Sequence, residues 1–160
     1  MPVPSIIGFV ATHVPRQGTS ITSANSVFTI TVPKLFPAPV QLEGYSADRA
    51  WSTADLALAE VVMCVDGTML SGFTPNPVKM SISLQADSPS KGIFIAIQNA
   101  TVASQSTYYI SGQIHLPSTD EVFTCTRGVL ESVKPLPDAG KVLQPMEFSI
   151  VWQSIVPGSV

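Results

Sequence analysis

Charge is scarce in this chain. Of its 160 residues only 12% are Asp, Glu, Lys or Arg, while 45% are hydrophobic; an average soluble domain carries about 25% charged residues. Intrinsic disorder is excluded, because disordered chains show the reverse bias. So bland a surface is expected to be covered in part by copies of the chain or by a partner, although Ser and Thr supply much of the missing polarity. The net charge is −3, and no run of Lys or Arg occurs; the isolated pair Lys134 and Lys141 comes nearest. Attraction of nucleic acid by a basic patch is therefore not expected.

Long apolar runs are missing too. No segment of about twenty apolar residues occurs, so no membrane-spanning helix is expected. The first residues, "MPVPSIIGFVATHVPRQG", lack a basic n-region, and Pro2 and Pro4 do not suit a signal peptide. The expected compartment of synthesis and assembly is the cytoplasm. The two cysteines, Cys64 and Cys125, lie in strand-like apolar stretches and are expected to be buried, reduced thiols.

Catalytic signatures are equally thin. His13 and His115 are the only histidines, and neither sits in an HExxH or CxxC pattern. Serines are plentiful, but no GxSxG elbow exists. Cys64 or Cys125 as a nucleophile would need an ionisable, accessible thiol. The carboxylate pairs Asp48 with Asp55 and Glu131 with Asp138 fall in turn contexts where solvated acids are the default. No glycine-rich phosphate loop is present. Neither an enzyme nor a cofactor or metal site is expected.

What the sequence does hold is strands. Fourteen prolines and ten glycines cut it into short pieces. In "VKMSISLQ" (78–85), Val78, Met80, Ile82 and Leu84 alternate with polar residues, one apolar face of a strand. Segments 5–12, 25–33, 107–117, 121–134 and 147–156 read the same way. Within them Phe28, Ile30 and Val32 share a face, as do Phe148, Ile150 and Trp152. Segments 57–67 and 68–73 form a hairpin turning at Asp66-Gly67. After Leu84, Ser88 suits an N-cap and Pro89 a first helical position, and Ile93, Phe94, Ile97 and Ala100 recur at helical spacing. One helix over 89–103 is predicted. Segment 34–56 reads as a long irregular loop with a strand-like piece at Val40–Leu42. The predicted fold is a single domain over 1–160, mainly β, a sandwich or barrel of two antiparallel sheets with one flanking α-helix.

The order of these pieces resembles a known family. "VDGTMLSGFTPNPV", then a strand ending in "LQADSPS" that runs into an apolar helix, then "KPLPDAGKVLQPMEFSIVW", is similar to the tail tube proteins of contractile-tailed bacteriophages, with relatives in phage-like bacteriocins and type VI secretion systems. The likeness spans residues 57–154; segment 1–56 matches in layout only. It implies a virion protein assembled in the host bacterial cytoplasm. Six copies would close into a ring by sheet extension, and rings would stack into a tube around a channel for the genome. Tail sheath, baseplate and tape-measure proteins would be its partners, and an acidic lumen would let DNA pass without sticking. By that layout segment 34–56 reaches the next ring, which makes Tyr45 and Trp51 the candidate ring-stacking contacts. A tube initiator in the baseplate would share the same fold. Independently of the resemblance, Trp51, Tyr45, Tyr108 and Tyr109 also fit the aromatic platforms of a carbohydrate-binding sandwich.

Overall fold

A computed structural model of the chain describes residues 25–159. The strand expected at 5–12 and the residue His13 lie outside them. Among the described residues the architecture is two antiparallel sheets and one helix. Strands β1 (Val27–Val32), β2 (Phe36–Gln41), β3 (Trp51–Thr53), β4 (Ala59–Met63), β5 (Met69–Phe73) and β6 (Val78–Leu84) precede helix α1 (Lys91–Ser104). Strands β7 (Tyr109–Leu116), β8 (Glu121–Val133) and β9 (Met146–Ser159) follow it.

Seven strands form one sheet in the order β2-β1-β7-β8-β9-β6-β3, every neighbour antiparallel, while β4 and β5 pair only with each other. The period of two in the sequence becomes the inside and outside of this sheet. On β6, Val78, Met80, Ile82 and Leu84 are buried and Lys79 is exposed; Phe28, Ile30 and Val32 of β1 and Phe148, Ile150 and Trp152 of β9 are buried as their alternation required. The sheet is curled so far that its ends meet. Trp51 on the β3 edge packs edge to face on Phe28 of β1, with ring centroids 6.1 Å apart.

Trp152 is the largest wholly buried side chain, and two glycines make its place. A Cβ on Gly128, its cross-strand partner on β8, would lie 2.5 Å from the indole, and one on Gly112 of β7 would lie 2.9 Å from it. The helix lies over the inner face. Phe94 stacks on Phe148 at 4.6 Å, and Phe94 and Ile97 are its buried residues.

Two local expectations are corrected. The helix starts at Lys91, with Ser90 at its N-cap position making no side-chain cap bond. The two serines are committed elsewhere. Ser88 Oγ donates to the Glu43 carbonyl at 2.5 Å, and the Glu43 N–H donates to Ser90 Oγ at 2.6 Å. These bonds stitch the chain at 43–44 to the helix entry. Gly44 serves that crossing twice, with φ +72° and no room for a Cβ beside Ser88 Oγ.

Segment 34–56, expected to be irregular, holds β2 on one edge of the curled sheet and β3 on the other, and Tyr45 between them bridges to Leu84. Its sequence hid β2 because Pro37 and Pro39 are poor strand formers. They are tolerated on an edge. The register of β2 against β1 shifts between Val40 and Phe36, the stretch that holds both prolines, and an irregular edge has no regular ladder for them to break.

Candidate assembly surface

The chemistry-bearing residues are dispersed. His115 is half-buried on β7 and pairs across to Val27 and Val122. Glu131 pairs with Lys79 at 3.5 Å, and Asp138 with Lys134, all at the surface. Cys125 is buried in the core, where burial pushes its thiol up to about 11. Cys64 departs from expectation: it is a half-buried free thiol at the hairpin turn. Among the described residues no three His, Cys, Asp or Glu side chains are grouped to hold a metal ion.

Tyr45 and Trp51 are brought together, edge to face at 5.4 Å. Both are half-buried and packed against the core. The Tyr45 hydroxyl is enclosed without a hydrogen-bond partner, and its pKa is raised, chiefly by desolvation and then by the Glu43 charge. The pair closes the seam between the two ends of the curled sheet instead of standing free on a loop.

The exposed apolar surface lies elsewhere, on the β4–β5 hairpin. Its turn is built as the sequence indicated. The Gly67 N–H donates to the Cys64 carbonyl at 3.0 Å, the Thr68 N–H donates to Asp66 Oδ1 at 2.9 Å, and Gly67 takes φ +86°. The Thr68 bonds hold the Asp66 carboxyl below the usual carboxylate range. Register pairs Val62 with Leu70 and Met63 with Met69. Alternation then puts Val61, Met63, Met69 and Phe73 on one face and Val62 and Leu70 on the other. All six are exposed, Phe73 to 80%, as are Leu56, Leu58 and Val65. Neither face is covered by other described residues, and a lone two-stranded hairpin is at best marginally stable in water. Its foot is tied down by Thr74 N–H to the Leu58 carbonyl and Asn76 Nδ2 to the Ala57 carbonyl. Consecutive apolar residues at 61–63 and 69–70 were the available signal, since a strand with one dry face alternates and these do not.

Beside that foot a cleft of about 480 Å³ opens at one end of the curled sheet, lined by Trp51, Leu56, Val78, Leu116, Phe123 and Ile155 among others. No residue of the hairpin strands lines it. The chain thus carries an apolar projection and an apolar hollow as separate surfaces.

A model of the family described as "Tail fiber protein gp32" matches residues 19–156. The chain belongs to the tail fiber protein gp32 family. That membership makes it a tail component of a phage-type particle. Among curated proteins, none matches it. One solved structure with the same fold is a chain from "Cryo-EM structure of the anti-feeding prophage (AFP) baseplate, 6-fold symmetrised", with a TM-score of 0.54 and 13% identity. The match covers 88% of this chain and 97% of that one. The family established for this gp32-type tail protein carries the tail assignment; the tail tube resemblance read from its sequence is narrower.

Proposed function

We propose that this tail protein is a structural subunit of the tail tube, whose activity is self-assembly rather than catalysis. Six copies close into a ring, rings stack into a hollow rod, and the rod abuts sheath, baseplate and tape-measure proteins while the genome passes through it. The observation that carries this reading is the β4–β5 hairpin, apolar on both faces and left uncovered by the rest of the described residues. The family membership, and a fold shared with a chain of a six-fold baseplate assembly, support it. Tyr45 and Trp51 act in ring stacking by holding segment 34–56 across the seam, not as free anchors.

A second reading, a tube initiator seated in the baseplate, is favoured by the same fold likeness. A carbohydrate-binding role is disfavoured, because Trp51 packs edge to face with Phe28 and Tyr45, and Lys34 and Arg127 lie over the rings of Tyr108 and Tyr109. Immunogold labelling of particles stripped of their sheath, with an antibody to this chain, separates these readings. Label along the whole tail shaft supports the tube, label at its distal end alone supports the initiator, and an unlabelled tail overturns both.

A further inference from the structure

Ring closure by sheet extension needs a free strand edge, and the seven-stranded sheet offers little. Its β2 edge carries Pro37 and Pro39, which leaves a six-residue strand without two N–H donors, and its pairing with β1 is irregular there. At the β3 edge, Ala50 accepts from the Ser83 N–H and Ala54 donates to the Lys79 carbonyl. By alternation only Trp51 and Thr53 turn their peptide groups outward in that three-residue strand. Among the described residues, the contact between copies therefore falls to the hairpin.

We propose that the β4–β5 hairpin of one copy seats in the apolar cleft beside the hairpin foot of the next copy. The inference rests on reading the chain as a self-assembling tail subunit. Size fits first. On the seated face Val61, Met63, Met69 and Phe73 are 55–80% exposed, roughly 500 Å² of apolar surface and the larger share of the ~800 Å² per partner of a standard interface. The cleft of about 480 Å³ has room for roughly three groups of the benzene size that fills a ~150 Å³ cavity, so it takes Phe73 with its neighbours on the same face. Chemistry fits second: strands 59–63 and 69–73 carry Glu60 as their one charge, and the cleft lining is Trp, Leu, Val, Ile and Phe with Asp55 and Thr53. Topology fits third. The knob and the hollow are different surfaces of one chain, so the contact is heterologous and propagates in one direction, closing a ring when the rotation permits. Because the hairpin springs from beside its own cleft, each seated hairpin also covers the foot of its neighbour.

Two full-length variants test this, each altering an exposed side chain so that the fold is kept: Met69→Asp on the seated face of the hairpin and Leu56→Asp on the cleft rim. Val61→Asp and Phe123→Ser serve as second variants of each surface, and circular dichroism and melting confirm folding. Sedimentation velocity across a concentration series is the readout. Wild type grows with concentration, and each variant alone stays monomeric with self-association weakened at least about a hundredfold by the buried charge. Their equimolar mixture stops at a 1:1 pair, because it holds one intact hairpin and one intact cleft. Met69→Asp protein that still forms rings overturns the inference and leaves the ring reading standing. Pairs in the mixture together with open fibres from wild type uphold the inference and overturn the six-fold ring. A mixture that stays monomeric, or hairpin-dependent binding of monomeric wild type to phosphatidylglycerol–phosphatidylethanolamine vesicles, overturns the inference.

Discussion

Trp51, on one edge of the seven-stranded sheet, meets Phe28, one strand in from the other edge, at 6.1 Å, and Tyr45 packs on the same indole at 5.4 Å. Three aromatic rings thus close the seam of the curled sheet, and the residue that sequence pattern offered as an interface anchor is first a structural one. Trp51→Ala is expected to lower stability by about 2–4 kcal/mol, below the full cost of a wholly buried aromatic because Trp51 is half-buried. Trp51→Phe keeps an edge-to-face partner and should cost under ~1.5 kcal/mol. Urea unfolding of both variants checks this. Assembly lost from Trp51→Ala protein of undiminished stability would return Trp51 to the role of a free contact.

Overpacking under Trp152 should rank in the order of the available space. A Cβ meets the indole at 2.5 Å from Gly128 and at 2.9 Å from Gly112, whereas at Gly158 its nearest neighbour is 3.6 Å away. Gly128→Ala is expected to cost about 1–3 kcal/mol, Gly112→Ala less, and Gly158→Ala within ±0.5 kcal/mol. Pairing Gly128→Ala with Trp152→Leu should show a coupling that offsets part of the first loss. Additive costs in that double mutant would place the strain elsewhere.

Alkaline conditions should destabilise the fold through Cys125. Its thiol is held protonated up to about 11 by burial, while an unfolded thiol ionises near ~8.5. Unfolding therefore releases a proton between those values, and stability falls as pH rises through that window and is flat in this term below it. Tyr45, also raised by burial, adds to the fall at higher pH. Urea midpoints measured from pH 7.5 to 10.5 should drop less steeply in Cys125→Ala than in wild type, and equal slopes would contradict the assignment. Iodoacetamide at pH 8 should label Cys64 at the hairpin turn before Cys125, read by peptide mass spectrometry.

The core was legible wherever one face of a strand is dry. Val78, Met80, Ile82 and Leu84 alternate because β6 has the sheet interior on one side and a wetter face on the other, and β1 and β9 read the same way. The hairpin turn was legible from Asp66-Gly67, since few residues other than glycine take φ +86° without strain. The helix entry misled by two residues. Ser88 and Ser90 had the chemistry of caps, yet their hydroxyls bind Glu43, forty-five residues or more away, a contact no local pattern encodes. Segment 34–56 misled for a related reason: β2 and β3 are edge strands, held by partners on one side only, so prolines and a three-residue length were tolerated. The assembly surface was half legible. The hairpin was found, but its exposure was not, because a strand apolar on both faces reads alike whether its cover comes from its own chain or from another.

Negative-stain electron microscopy of the purified full-length protein over a concentration series tests self-assembly most directly. Rings of six subunits, passing into stacked hollow rods as concentration rises, are the expected result. Discrete single particles at every concentration would contradict it.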